Sequence, residues 1–295
     1  MATLRAAALP APARAQACSP RWDRRRAGAP SPHQRGSLRS LHHTGGAQLI
    51  RRAALSVVTV SSTTRRPAAR VVHVQADGGK KKLAVFVSGG GSNFKAIHAK
   101  CLDGTINGEV VLVVSNAPSC GGCEYARGHG IPVAQYPVSK KSGKGITADA
   151  LVERCQEAGA DYVLLAGYLK MIPEQLVKAY KGAMLNIHPA LLPSFGGHGM
   201  FGGNVHKAVV AKGVRFSGPT VHFVDEEYDT GAIIAQRAVP VYPTDTPDDV
   251  AARVLKEEWV VYPWVVEALC DGRIEYREGD RMPMVHAKEG DHQFL

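Results

Sequence analysis

The chain has 295 residues and a formal charge of +10, with 45% hydrophobic and 21% charged residues, a balance that excludes a disordered or fibrous protein. The positive charge sits at the front: residues 1–79 contain 13 Arg, no Lys, no Glu and two Asp, for +11, so the other 216 residues hold −1. A near-neutral body of that size fits one α/β domain with its own core, with no nucleic acid as partner and no apolar run long enough for a membrane span.

Residues 1–76 are rich in Ala, Ser and Arg, poor in acids, and without a sustained helical or strand period, which reads as an organellar transit peptide. Val74-Gln75-Ala76 resembles a plastid processing site, so the mature start is expected near Asp77, with residues 77–82 as a linker. The chloroplast is the expected destination, with the mitochondrion as the alternative. Of six cysteines Cys18 falls in this leader, and the other five are too few and too irregular for a secreted disulfide scaffold, so reduced thiols are expected.

Over residues 83–280 short β-rich runs alternate with helix-length stretches. Strands are predicted at 83–88, 110–115, 161–166, 184–188, 220–224 and 232–241, and helices after Ser92, Cys123, Thr147, Pro173 and Val205. Thr246-Pro247-Asp248-Asp249 supplies an N-cap and a first-turn proline for a further helix. This rhythm predicts an α/β fold, a Rossmann-like, doubly wound and mostly parallel sheet in a single domain. Residues 281–295 are expected as a tail over the body, with a short edge strand after Ile274.

The first strand runs into Gly89-Gly90-Gly91-Ser92-Asn93 and then a helix, which sets backbone N–H groups at a helix N-terminus, where an anion is favoured. No Lys-Ser/Thr pair follows, and Phe94 stands where a dinucleotide fingerprint needs its last glycine, so a phosphate monoester is the expected ligand. A purely structural turn is the alternative. Cys120-Gly121-Gly122-Cys123 is a lone C-x-x-C with no second pair for zinc, and is expected as loop thiols rather than a functional pair.

In Met184-Leu185-Asn186-Ile187-His188-Pro189 the side chains of a strand alternate, so Asn186 and His188 share one face at the strand's carboxyl end, where open α/β sheets bind ligands. The following loop, 190–199, is apolar and rich in glycine and proline and could cover a cleft. Asp225, Glu226, Glu227 and Asp229 read as a solvated acidic loop, and His222 as a packed core histidine. On the last helix Glu258 falls in the middle of the apolar face formed by Val254, Leu255, Val261, Tyr262 and Val265, so it needs a partner, and Arg253 and Arg237 are the candidates on residue type.

Asn186-x-His188-Pro-x-Leu-Leu-Pro193, with residues 88–93 before it and Asp229-Thr230-Gly231 after it, resembles the signature of the folate-dependent formyltransferases, in the branch that formylates glycinamide ribonucleotide. The resemblance covers about residues 83–280. It implies the formyltransferase fold, a catalytic Asn186, His188 and Asp229, and transfer of a formyl group from 10-formyltetrahydrofolate to the amine of glycinamide ribonucleotide without a metal. It also implies that Gly91, Ser92 and Asn93 hold the substrate phosphate and that Glu258 binds its ribosyl-glycinamide part. Leu169, Lys170, Met171 and Ile172, together with Asn186, would bind the folate; Lys170 stands where relatives often have Arg, and no residue among 140–145 matches the family's other folate-contacting arginine. Formyltetrahydrofolate hydrolase and methionyl-tRNA formyltransferase share the Asn-His-Asp core and are alternatives within the class. A phosphate-metabolite sensor on the same fold is the non-enzyme alternative.

Overall fold

A computed structural model describes residues 79–140, 142–276, 280, 282–289 and 291, which belong to one compact unit. The expected transit peptide, Cys18 and residues 77 and 78 of the linker lie outside the described residues.

Strand β1 (Lys81–Val87) starts two residues before its predicted position and leads through the glycine loop into α1 (Ser92–Leu102). There follow β2 (Gly108–Ser115), α2 (Gly121–Gly128), β3 (Val133–Gln135), α3 (Ala148–Glu157), β4 (Tyr162–Leu165), α4 (Glu174–Ala179) and β5 (Met184–His188). The second half comprises α5 (Gly203–Lys212), β6 (Phe216–Ser217), β7 (Thr220–Phe223), β8 (Ile233–Gln236), β9 (Val239–Pro240), α6 (Pro247–Cys270), β10 (Ile274–Glu275) and β11 (Met284–Val285).

Seven strands form the main sheet in the order β3-β2-β1-β4-β5-β7-β8. Pairing is parallel from β3 to β5 and antiparallel for β7 and β8, so the sheet is mostly parallel, as expected. Chain order runs outward one way from β1 to β3 and the other way from β4, which makes the gap beyond β1 and β4 the switch point where such sheets take ligands.

Strand β1 is buried on both faces, and its side chains divide accordingly. Leu83, Val85 and Val87 join Leu164, Leu185 and Ile187 under α1 and α6, while Ala84 and Phe86 join Leu112 and Val163 under α3. Helix α6 begins as its sequence predicts: Thr246 and Asp249 form a reciprocal capping box and Pro247 occupies the first turn. Its Tyr262 hydroxyl donates to the carbonyls of Leu165 (3.2 Å) and Leu185 (3.3 Å), tying β4 to β5.

Three expectations need correction. The run 232–241 is two strands in different sheets, because the turn at Arg237 lies against Gly218, where an added Cβ would stand 1.8 Å from the Arg237 carbonyl oxygen. Helix α2 starts at Gly121 rather than after Cys123, so the C-x-x-C spans a helix N-terminus instead of a loop. Helix α5 likewise starts at Gly203 rather than after Val205. The short strand expected after Ile274 is β10, which pairs with β11 as a hairpin, and Asp291 accepts from Trp264 Nε1 (2.7 Å) and Arg273 (2.8 Å).

Candidate active site

The glycine loop closes over the switch point. Gly91, the N-cap of α1, has φ 68°, and a Cβ there would lie 2.8 Å from Gly122 Cα, so this position admits only glycine. The cap offers no side-chain hydrogen bond, which leaves the first-turn N–H groups of α1 directed at the cleft as anion donors. Ser88 holds the loop in place: its backbone N–H donates to Gly167 O (3.2 Å), and its hydroxyl accepts the Leu169 N–H (2.8 Å).

Below this loop the apolar face of α6 delivers Glu258. The carboxylate accepts a 2.6 Å hydrogen bond from Asn93 Nδ2. Neither arginine considered from the sequence reaches it, because Arg253 pairs with Asp245 and Arg237 with Glu257. Burial raises the Glu258 carboxyl above its ordinary range, and the Asn93 bond opposes that rise only in part. Asn93 Oδ1 is buried without a partner, so it is an acceptor that a ligand donor would satisfy.

At the end of β5, Asn186 and His188 do share one face. His188 is 3% exposed, with Nε2 2.8 Å from Phe195 O and Nδ1 3.5 Å from Asp229 Oδ2. Each ring nitrogen therefore faces an acceptor oxygen, so the N–H of either tautomer has a partner. Asp229 also accepts the Gly197 N–H (2.9 Å), which ties the 190–199 loop to the acidic turn. Phe195 (φ 57°) and Asp229 (φ 56°) are both left-handed non-glycine residues, a backbone cost concentrated on the two groups that flank His188.

The acidic turn separates by burial. Asp225, Glu226 and Glu227 are exposed, and Asp225 is used by Thr230 and the Glu227 N–H, while the Asp229 side chain is 12% exposed. His222 lies opposite Asn186 in the β5–β7 register and is buried, as expected, but it belongs to the site rather than to packing alone. Its Nδ1 is 2.7 Å from the Phe223 carbonyl, which requires the hydrogen on that nitrogen, so Nε2 accepts from Asn186 Nδ2 at 3.1 Å. A neutral His222 thus fixes which way the Asn186 amide points. The antiparallel register could have revealed this pairing, but the sequence does not display it.

All these groups open onto one cleft of about 810 Å³, which Leu169, Lys170, Met171 and Ile172 line on another side. Leu169 (49%) and Met171 (66%) expose apolar side chains there, a surface for an aromatic ligand. His206 on α5 also lines the cleft, with Nδ1 buried and unpartnered; sequence reasoning missed it, since its helical position gives no chemical signal. Among the described residues no group of three or more His, Cys, Asp or Glu side chains is placed to hold a metal ion, and no helix is long and apolar enough to cross a membrane.

A sequence profile described as formyl transferase matches residues 81–266. The chain belongs to the formyl transferase family. This formyl transferase is 51% identical over 235 residues to phosphoribosylglycinamide formyltransferase, chloroplastic, of Vigna unguiculata, covering 80% of this chain and 75% of that protein. It is 52% identical over 239 residues to the protein of the same name from Arabidopsis thaliana, covering 81% of this chain and 82% of that protein. A crystal structure of glycinamide ribonucleotide transformylase 1 from Symbiobacterium toebii superposes with a TM-score of 0.62 at 36% identity, covering 70% of this chain and 94% of that chain.

Burial lowers the affinity of His98, His206 and His222 for protons in this formyl transferase. As pH drops through the unfolded histidine value of about 6.5 the unfolded chain binds more protons at these sites than the folded one, so stability is lost as the pH falls. Glu258 acts in the opposite sense over a range that begins at about 4.3, because its folded carboxyl holds a proton the unfolded one has lost. The urea midpoint is expected to drop between pH 7 and pH 6, with three histidines against one carboxyl. A midpoint that stays level or rises contradicts the neutral assignment of the buried rings.

Proposed function

We propose that the protein transfers the formyl group of 10-formyltetrahydrofolate to the amine of N1-(5-phospho-D-ribosyl)glycinamide, giving formylglycinamide ribonucleotide and tetrahydrofolate in purine synthesis. The observation that carries this reading is that one cleft joins the uncapped N-terminus of α1 to the Asn186, His188 and Asp229 group. In this reading the N–H groups of Gly91, Ser92 and Asn93 hold the phosphate, and Glu258 with Asn93 holds the ribosyl-glycinamide portion. Leu169, Lys170, Met171, Ile172 and Asn186 receive the folate. The arginine-rich leader and the chloroplastic names of the plant relatives support delivery to the chloroplast stroma.

The substrate amine titrates at about 7.7 to 8.0, so a neutral nucleophile costs little near pH 8. As its nitrogen adds to the formyl carbon, negative charge develops on the formyl oxygen; the Asn186 amide donates its second N–H to it, and the His188 Nε2–H donates as it turns from the Phe195 carbonyl to that oxygen. The bond from the formyl carbon to the folate nitrogen then breaks, and the proton given up by the amine passes to that nitrogen. Asp229, held against His188 and the Gly197 N–H, orients the imidazole and can hold the water that relays the proton. His222 sets the Asn186 amide beforehand.

The test is incubation with both substrates while following release of tetrahydrofolate by absorbance. Product is expected only when both are present; release from the folate alone would identify a hydrolase, and none in either case would overturn the reading. Ribose 5-phosphate should compete with the ribonucleotide, and failure to compete would remove the glycine loop from the site. Glu258→Gln should raise KM for the ribonucleotide roughly tenfold or more, since a hydrogen bond to a charged group is worth about 1.5–3 kcal/mol. An unchanged KM would confine Glu258 to supporting Asn93.

A further inference from the structure

Cys120 and Cys123 take no part in this chemistry, yet they are built as a pair. Cys120 is the N-cap of α2 and Cys123 lies in its first turn, with their Sγ atoms 3.6 Å apart. Cys120 is partly exposed, whereas Cys123 is fully buried. The Ser115 hydroxyl lies 3.6 Å from Cys120 Sγ. Burial disfavours the Cys120 thiolate, but hydrogen bonds from the Cys123 N–H and the Ser115 hydroxyl outweigh it and leave this thiol below its ordinary value. Burial pushes the Cys123 thiol up to about 11. The other free thiols, Cys101, Cys155 and Cys270, are buried in the core.

The two residues between the cysteines touch the glycine loop. Gly122 N–H donates to Gly89 O at 3.0 Å, and the Gly91 and Gly122 backbones are in contact close enough to exclude a Cβ. A disulfide needs its sulfurs at about 2.05 Å, so closure from 3.6 Å draws in the first turn of α2 and with it the Gly122 contact.

We infer that Cys120 and Cys123 form a reversible dithiol–disulfide site, oxidised by a low-molecular-weight disulfide, and that closing it weakens the hold of the adjoining glycine loop on a phosphate. The Cys120 thiolate attacks one sulfur of the reagent, whose S–S bond breaks and releases a first thiolate. Cys123 then gives up its proton and its sulfur attacks Cys120 Sγ, displacing the second thiolate. The two protons lost by the cysteines end on the two released thiols, so the pair is oxidised by two electrons and the reagent is reduced by two. The effect on phosphate rests on the proposed function, whereas disulfide formation does not.

The full chain is treated with glutathione disulfide, with and without ribose 5-phosphate, and read by intact mass and peptide mapping. A linked Cys120–Cys123 peptide that dithiothreitol reverses is expected, and its formation should slow several-fold when ribose 5-phosphate is bound. Cys123→Ser should stop at a glutathione adduct on Cys120. KM for the ribonucleotide should rise several-fold on oxidation, and in Cys120→Ser the oxidant should leave it unchanged. Free thiols at both positions after treatment, or a glutathione adduct without ring closure in the unaltered chain, overturns the site. A disulfide that forms equally fast with ribose 5-phosphate bound and leaves KM unchanged overturns the coupling. Should the reduced protein show no transfer at all, the functional reading fails, and the mass and protection readouts still decide the disulfide.

Discussion

Replacing His188 by alanine is expected to lower the turnover of formyl transfer by about 10²–10³-fold, the loss seen when one donor to a developing oxyanion is removed. The imidazole is held between the Phe195 carbonyl and the Asp229 carboxylate, so its loss deletes the ring donor and takes one neighbour from the carboxylate. The Asp229 contact to the Gly197 N–H survives, so the loop keeps an anchor and the cost in stability should stay within about 1–3 kcal/mol. Turnover and urea unfolding measured on the same preparation separate the two effects. Unchanged turnover removes His188 from the chemistry, and a loss of turnover matched by a loss of folded protein makes it structural.

Gly231→Ala should damage both folding and activity. A Cβ at this position would lie 1.8 Å from Phe223 O and 2.8 Å from Phe223 C, and because both are backbone atoms no side-chain rotation relieves the clash. The turn after β7 must move, carrying Asp229 away from His188 and His222. A loss of about 1–3 kcal/mol is expected from overpacking alone, together with a fall in turnover beyond what the unfolded fraction explains. Gly128→Ala is the matched control, since nothing lies within 4 Å of its added Cβ and alanine suits a helix end better than glycine. Equal behaviour of the two variants would show that the Asp229 turn tolerates displacement.

Particular residues decide how much of this was legible in the sequence. Strand β5 was predicted with its observed ends, because apolar alternation and Pro189 both act locally. The cap of α6 was legible for the same reason, and so was the position of Glu258 on an apolar face. Strand β3 was missed, since three residues carry no period and gain their identity only by pairing with β2. The start of α2 was hidden by Gly121 and Gly122, poor helix formers, of which Gly122 lies too close to Gly91 for a Cβ. Asp229 could not be chosen among four acids: what distinguishes it is a left-handed backbone and burial under the 190–199 loop, both products of contacts distant in sequence. The place of His206 on the cleft and the partner of Glu258 were likewise invisible, because each depends on elements far apart along the chain.

The Tyr262 hydroxyl has one hydrogen and spreads it over two carbonyls, one from each of the neighbouring strands that frame the cleft. Glu258 stands one helical turn before it, on the same side of α6. Under the proposed function, recognition of the sugar and the chemistry on β5 are therefore mounted on a common brace. Warming that loosens this end of the helix should erode affinity and turnover together, at a temperature below the one at which the sheet itself melts.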